Sequence, residues 1–215
     1  MYKLIMCIVP HENGELITNA AKQAGAGGGT ILMGKGTASN NVLQLLGLGD
    51  TSKDITMNIV EENLYDKVRS EIITAAASKK AHFGVMFCIN TKSMYKAGAS
   101  GSATADSLQE DKIMKDYEVI NIIVNKGYAE DAMAAARKAG AGGGTIIGAR
   151  GTAREGDATF FGVDIVPEKE MLMILVPQDK KEPVVAAIKE LACFQKAGSG
   201  IIFCNTANDF TLLGK

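Results

Sequence analysis

The chain has 215 residues, of which 47% are hydrophobic and 22% are charged, and its formal net charge is -1. This balance is typical of a folded globular protein and provides no overall attraction to nucleic acid or to an anionic membrane. No apolar run reaches the roughly 18 residues that a spanning helix needs. We therefore expect no nucleic-acid partner, a protein that is not membrane-embedded, and a cytoplasmic location.

The cysteines and histidines are not spaced like metal ligands. The four cysteines lie in apolar segments without Cys-x-x-Cys spacing, which favours thiols packed in a core. His11 and His82 have no neighbouring thiolate or histidine, so we expect no metal site. No Ser-His-Asp, Cys-His or paired-carboxylate set recurs along the chain, so we expect a protein that is not an enzyme.

One segment of the chain occurs twice. Ala20–Ala38 (AAKQAGAGGGTILMGKGTA) returns 115 positions later as Ala135–Ala153 (AARKAGAGGGTIIGARGTA), with 13 of 19 residues identical. A period this long exceeds a solenoid repeat and fits a small domain. We predict one module at residues 1–96, a flexible Gly/Ser-rich linker at residues 97–115, and a second module at residues 116–215.

The first copy alternates apolar runs with helical periodicity. In chain order we predict a strand, a helix, two strands, a helix and a strand: Lys3–Val9, Glu12–Ala24, Thr30–Met33, Asp54–Glu61, Leu64–Ala77 and Gly84–Ile89. A short strand-forming piece at Ser93–Tyr95 extends this copy.

The second copy repeats that order. Its predicted elements are Glu118–Val124, Ala129–Ala139, Thr145–Arg150, Glu170–Val176, Pro183–Phe194 and Gly200–Cys204. The pattern indicates an α+β protein made of two tandem ferredoxin-like (β-α-β-β-α-β) modules, with antiparallel sheets and helices on one face. Several strands are apolar at positions of both parities, which predicts that the second sheet face packs against other copies in a homo-oligomer.

The GAGGG tract in each repeat has two interpretations. A dinucleotide-binding fingerprint needs a strand before the glycines and a helix after them, whereas here the order is reversed. Gly25 and Gly140 therefore fit the end of a helix. The alternative is that the later glycines let a phosphate approach the backbone.

Two long excursions separate the second and third strands, Thr37–Ser52 in the first copy and Thr152–Glu168 in the second. An antiparallel hairpin needs only a few connecting residues, so the excess length favours a functional loop. Arg154, Phe160 and Phe161 give the second loop a composition suited to docking a partner. The alternative is a pair of flaps that cover the core.

Cations bracket both loops. Lys35 and Lys53 flank the first loop, and Arg150 and Lys169 flank the second. With Gly36 or Gly151 exposing backbone amides, each pair could form an anion pocket at the base of a loop. The alternative is that these charges are solvated strand ends.

The turn before the last strand is a further candidate contributor to the anion pocket. It contains Gly84 in the first copy and Gly198 and Gly200 in the second.

Several segments together resemble the PII nitrogen-regulatory signalling proteins. The resemblance lies in the long loop after the second strand, the GGTII passage, VDIVPEKEMLMILVP and GSGIIF, and it is closer in the second copy. It implies a trimeric ferredoxin-like protein that binds ATP or ADP between subunits. It also implies that the long loop, called the T-loop, docks transporters or enzymes of nitrogen metabolism.

The resemblance also assigns residues by position. Thr30 and Thr145 match the nucleotide-contacting threonine, and Lys35 or Arg150, with Gly36 or Gly151, match the Lys-Gly at the T-loop base. Lys53 and Lys169 match the lysine that reaches phosphates or 2-oxoglutarate, and Gly198 and Gly200 match the phosphate-cradling glycines; Gly84 is the one such glycine in the first copy.

Two further functions stay open beside a regulatory protein that senses a small anionic effector. One is an interaction module that keeps the fold without a ligand and uses it for oligomeric assembly. The other is a small enzyme using the same cleft, for which the sequence offers no acid/base pair or activated nucleophile.

Overall fold

The computed structural model describes residues 2–37, 52–91, 93–94, 103–104, 117–151, 159–160, 163–164, 168–195 and 199–214. Most of the predicted linker and of both long loops lies outside these residues.

Among its described residues, the first half of the chain has six strands and two helices. In chain order they are β1 (Tyr2–Pro10), α1 (Gly14–Gln23), β2 (Thr30–Gly36), β3 (Ser52–Glu61), α2 (Glu62–Ala76), β4 (Gly84–Thr91), β5 (Ser93–Met94) and β6 (Ala103–Thr104).

The second half repeats the pattern, with a further pair of two-residue strands. Its elements are β7 (Tyr117–Asn125), α3 (Ala129–Lys138), β8 (Gly144–Arg150), β9 (Thr159–Phe160), β10 (Val163–Asp164), β11 (Glu168–Pro177), a 3-10 turn (Gln178–Lys180), α4 (Lys181–Lys189), α5 (Ala192–Gln195) and β12 (Gly200–Leu213).

These elements form two compact units, and each unit includes a short stretch from the other half of the chain. Unit 1 comprises residues 1–33, 52–117 and 206–215, and unit 2 comprises residues 34–51 and 118–205. Strands β2 and β12 therefore each contribute to both units. The module boundaries at residues 96 and 116 stay a prediction.

In unit 1, β1 is the central strand. It pairs antiparallel with β3, where Met6 lies opposite Met57, and with β4, where Met6 lies opposite Phe87. Beyond β3 lies β2, and beyond β4 lies the last part of β12. The first strand of the copy thus lies between the third and the fourth, as two βαβ units sharing one sheet require.

The core of unit 1 lies between this sheet and both of its helices. Fully buried members include Cys7 on β1, Ile17 on α1 and Ile72 on α2. The apolar residues of α1 and α2 recur at helical spacing, which puts them on one stripe facing the strands. Each fully buried aliphatic side chain contributes about 1.5–3 kcal/mol.

Unit 2 has the same strand order. β11 pairs antiparallel with β8, β7 lies beyond β11, and the first part of β12 lies beyond β7. At the other edge, Gly34–Gly36 of β2 pairs antiparallel with β8, so that Gly36 lies opposite Thr145. Both α3 and α4 pack on the core, with Met133 and Ile188 fully buried. The described residues thus form antiparallel sheets covered by helices, as expected.

Two elements differ from their predicted bounds. The helix predicted at Pro183–Phe194 is α4 and α5 with a break between them, and Pro183 lies in the first turn of α4, where the missing amide costs no helical bond. The strand predicted to end at Cys204 continues to Leu213, because its last part pairs with β4.

None of the helices among the described residues has the length and apolar character needed to cross a membrane. Within the same residues, no cluster of three or more His, Cys, Asp or Glu side chains could hold a metal ion.

Candidate functional site

The base of the second long loop is formed by a strand pair in unit 2. Arg150 lies opposite Glu168, and Ala149 lies opposite Lys169, so the chain leaves and re-enters the sheet at one end. Because side chains alternate along a strand, Arg150 and Lys169 start on opposite faces of the sheet.

The charges at this loop base are partly balanced. Lys126 Nζ lies 2.7 Å from Glu168 Oε2, and this bond and the charge of Glu168 raise the pKa of Lys126. The amine of Lys169 donates to Asn125 Oδ1. Arg150 is exposed, and among the described residues neither Arg150 nor Lys169 forms an ion pair, although Lys169 has its hydrogen bond to Asn125. An incoming anion would therefore meet Arg150 first.

The two cations of the first copy belong to different units. Lys35 belongs to unit 2, where its Nζ lies 3.3 Å from Glu130 Oε1 on α3. Lys53 belongs to unit 1, where it is half-buried and lies opposite Pro10.

The GAGGG tract forms the corner between helix and strand in both copies. At the end of α1, Gly25 has φ 109°, and the amide of Ala26 donates to the carbonyl of Ala21. At the end of α3, Gly140 has φ 101°, and the amide of Ala141 donates to the carbonyl of Ala136 in the same way. These bonds close a helix with a left-handed residue, as predicted for both glycines.

In unit 1 this corner also lines a cleft of about 480 Å³. The cleft has an apolar floor that includes Leu4, Met57 and Ile59, and its wall runs from Gly25 to Thr30. Its described lining includes one carboxylate, Glu61, and no lysine or arginine. A side chain at Gly27 or Gly28 would meet nothing within 4 Å. The cleft therefore fits an apolar body with hydrogen-bonding groups better than a polyphosphate.

A buried polar side chain lies behind the wall of this cleft. Asn58 is fully buried, and neither of its carboxamide atoms has a hydrogen-bond partner among the described residues. A Cβ at Gly29 would come within 2.5 Å of its oxygen, so the amide faces the glycine backbone closely. In the second copy this position is Ile174, which is part of the core. A buried unpaired amide points to a missing partner such as a ligand or water.

In unit 2 the same corner is bound by the end of β2. Thr37 Oγ1 accepts from the amide of Gly144 at 2.7 Å, and the amide of Thr37 donates to the carbonyl of Gly144 at 2.9 Å. The guanidinium of Arg137 donates to the carbonyl of Thr37. The sequence did not identify Thr37, because the pattern does not say which strand edge β2 joins.

The sequence analysis also did not predict that, in each copy, one carboxylate on the third strand caps the N-terminus of the first helix. Asp54 on β3 accepts from the amide of Gly14 at 2.8 Å and from Nδ1 of His11 at 2.8 Å. At the equivalent position, Glu170 accepts from the amides of Gly127 and Ala129, at 2.9 and 3.3 Å. Each directly follows the lysine assigned to the loop base, Lys53 or Lys169.

The remaining predicted residues fall into three groups. Gly84 and Gly200 are tightly packed glycines, because a Cβ there would lie 2.5 Å from the carbonyl of Ile8 and 2.9 Å from that of Ile123. Thr145 is buried on β8, and Gly151 follows that strand. Gly198, Arg154 and Phe161 lie outside the described residues, as does the side chain of Phe160.

Residues 117–213 match the family described as Nitrogen regulatory protein P-II. Among solved structures, Arabidopsis thaliana PII bound to citrate is 26% identical, with 44% of this chain and 77% of that chain covered and a TM-score of 0.35. CPII, a nitrogen regulatory PII-like protein from Thiomonas intermedia K12 bound to ADP, AMP and bicarbonate, is 22% identical, with 43% and 92% covered and a TM-score of 0.34. No curated protein matches the chain.

Proposed function

We propose, on the premise that residues 117–213 belong to the P-II family, that the chain is a tandem regulatory protein. It binds a small anionic effector, with ATP and ADP as candidates, and controls a transporter or an enzyme of nitrogen metabolism through its long loops. The first copy is included because it shares 13 of 19 residues of the repeat and the same element order. In this proposal both copies are ferredoxin-like modules, the protein is a cytoplasmic homo-oligomer, and it catalyses no reaction.

The observation that carries the proposal is the strand pair at the base of the second loop. An effector bound there touches both ends of residues 152–167 at once, so binding orders the loop and changes the surface offered to a partner. Arg150 and the amide of Gly151 would bind the anion. Lys169 would exchange its bond to Asn125 for one to the anion.

The experiment is a calorimetric titration of the intact protein with ATP, ADP, AMP, cyclic nucleotides and bicarbonate. We expect at least one of them to bind, and we expect Arg150→Ala and Lys169→Ala each to weaken binding by about tenfold, since each removes one charge-assisted hydrogen bond. Lys189→Ala, at the end of α4, is the control for a lost surface charge. If none of these ligands binds, the proposal is refuted.

A second candidate function is a ligand-free interaction module, and one observation favours it. Lys126 and Lys169 already have partners at the loop base, namely Glu168 and Asn125. This candidate predicts that Lys169→Ala leaves partner capture unchanged, whereas the effector proposal predicts loss of the effector's influence on capture.

A further inference from the structure

A groove in unit 2 lies between α4 and the first part of β12, beside α5. Its volume of about 650 Å³ is in the range of pockets that hold small organic ligands. Much of its lining is apolar, namely Val185, Phe194, Ile202 and Phe203. Its described lining includes none of the residues proposed to bind the effector, which are Arg150, Gly151 and Lys169. The groove is therefore a separate site.

The equivalent space in unit 1 is filled by residues of that unit. On α2, the hydroxyl of Tyr65 donates to Asp209 at 2.7 Å, and the guanidinium of Arg69 donates to Thr211 at 2.9 Å. The last part of β12 therefore joins α2 to the edge of β4. Cys88 on β4 is 1% exposed under this cover.

Unit 2 has different residues at the equivalent positions. The glycines that open β4 and β12 are 116 positions apart, so Lys181 stands at the position of Tyr65, and Val185 at that of Arg69. A valine side chain cannot donate a hydrogen bond to a covering strand as Arg69 does. The cysteine of this unit, Cys204, is half-buried, whereas its counterpart in unit 1 is buried. The space that unit 1 fills is thus open in unit 2.

A lysine lies at the end of the groove where α4 begins. The side chain of Lys181 is 32% exposed, and its Nζ lies 3.8 Å from Oε1 of Glu182, whose side chain is 82% exposed. Such an exposed ion pair contributes little, so a closer anion could replace it. Burial raises the pKa of the Cys204 thiol, and the positive charge of Lys181 opposes the rise. The described lining holds two lysines and one glutamate, so its net charge is positive.

An aromatic ring lies at the other end of the groove. A Cβ at Gly200 would lie 2.9 Å from the ring of Phe194, so the ring packs on the backbone where β12 begins. Gln195 Nε2 donates to the carbonyl of Lys189 at 2.9 Å, which holds α5 to the end of α4. Phe194 is therefore fixed in place and offers an apolar surface to a ligand.

The length and charge of the groove define the ligand that fits it. The groove follows α4, whose nine residues span about 13 Å. An extended chain advances about 1.2 Å per bond, so a chain of about ten carbons fills that length. We propose that the groove binds the anion of a medium-chain fatty acid, with the carboxylate at Lys181 and the alkyl chain running along Val185 towards Phe194. A cation at one end of an apolar groove is complementary to such an amphiphile.

The first experiment is a calorimetric titration of the full chain with butyrate, hexanoate, octanoate and decanoate as monomers. We expect the affinity to rise about fourfold with each added methylene group, because each one buries apolar surface. Decanol lacks the charge and should bind about tenfold more weakly than decanoate. Equal affinities for butyrate and decanoate, or for decanol and decanoate, overturn the proposal.

Phosphatidylglycerol vesicles are the second arm of this experiment. We expect decanoate to bind and the vesicles not to co-sediment with the protein. Co-sedimentation without binding of monomeric decanoate would assign the groove to a lipid surface, and binding of neither would exclude an amphiphile site, so both results overturn the proposal.

Variants of the lysine test where the carboxylate lies. Lys181→Ala should weaken decanoate binding about tenfold and leave decanol binding unchanged. Lys181→Arg should keep the affinity for decanoate within about threefold of the wild type, since either cation binds a carboxylate. Lys180→Ala is the matched control, because it removes the same charge one residue earlier, from a side chain that does not line the groove. Equal losses in Lys180→Ala and Lys181→Ala contradict the assignment.

The thiol of Cys204 reports occupancy inside the groove. Its alkylation by iodoacetamide is followed by peptide mass spectrometry, with and without decanoate. We expect decanoate to slow the reaction about fivefold, because the ligand covers the thiol and its carboxylate disfavours the thiolate. Cys193 is also half-buried but lines a different cavity, so its rate should not change. Protection of both cysteines, or of neither, refutes binding in this groove.

Discussion

Two neighbouring leucines at the end of β12 test whether this part of the strand belongs to unit 1. They have the same side chain and differ in burial. Leu213 is 1% exposed and belongs to the unit 1 core, whereas Leu212 is 53% exposed. The strand is held to β4 by pairing, to Tyr65 by a 2.7 Å hydrogen bond from its hydroxyl to Asp209, and to Arg69 through Thr211 at 2.9 Å.

We expect Leu213→Ala to lower the free energy of unfolding of unit 1 by about 2–5 kcal/mol, the range for a buried leucine that leaves a cavity. For a unit of this size that corresponds to about 10 °C or more in Tm. Leu212→Ala makes the same chemical change at the surface and should cost less than about 1 kcal/mol.

The measurement is urea unfolding followed by circular dichroism, with hydrogen exchange read by mass spectrometry on peptides of each unit. Leu213→Ala should speed exchange in α2 and β4 and leave α3 and β11 unchanged. Equal costs for the two alanine variants, or faster exchange mainly in unit 2, would refute the assignment of this strand to unit 1.

Three further variants test the helix caps and a buried thiol. Asp54→Ala should cost about 2 kcal/mol or more, because it removes a buried cap of Gly14 and the bond to His11, while Glu170→Ala should cost about 1 kcal/mol; equal losses in urea unfolding would contradict this. Burial raises the pKa of the Cys7 thiol to about 12 from 9.0. The thiol of the unfolded chain therefore loses its proton at a lower pH than the thiol of the folded chain. The free energy of unfolding should thus fall as the pH rises from about 9 towards 12, by up to about 1.4 kcal/mol per pH unit. The free energy of unfolding of Cys7→Ala should depend less steeply on pH in that range, and an unchanged slope would be evidence against the burial effect.

Local patterns in the sequence were sufficient to predict the elements of each copy. The alternation and helical spacing of apolar residues place β1 within one residue of the predicted Lys3–Val9, and α2 within two residues of Leu64–Ala77. The prediction that Gly25 ends α1 is also confirmed, because a left-handed residue is needed there and glycine adopts it without strain.

What the sequence could not predict is which strand edges meet. Pairing depends on the backbone, which is the same at every residue, so nothing in the letters of β2 says that Gly34–Gly36 joins β8. The same holds for Asp54 and Glu170, whose role as caps depends on a helix more than 35 residues earlier in the chain. The predicted ligand and loop residues stay predictions, and the family resemblance is confirmed over residues 117–213.

The sharing of β12 between the units has a consequence for synthesis on the ribosome. N-terminal domains ordinarily fold first as a chain emerges, but unit 1 includes residues 206–215. The sheet edge at β4 and the core of unit 1 therefore stay incomplete until all of unit 2 has been translated. The N-terminal half of the chain is then the last to be completed, and its unfinished sheet edge is the surface that a chaperone would need to protect.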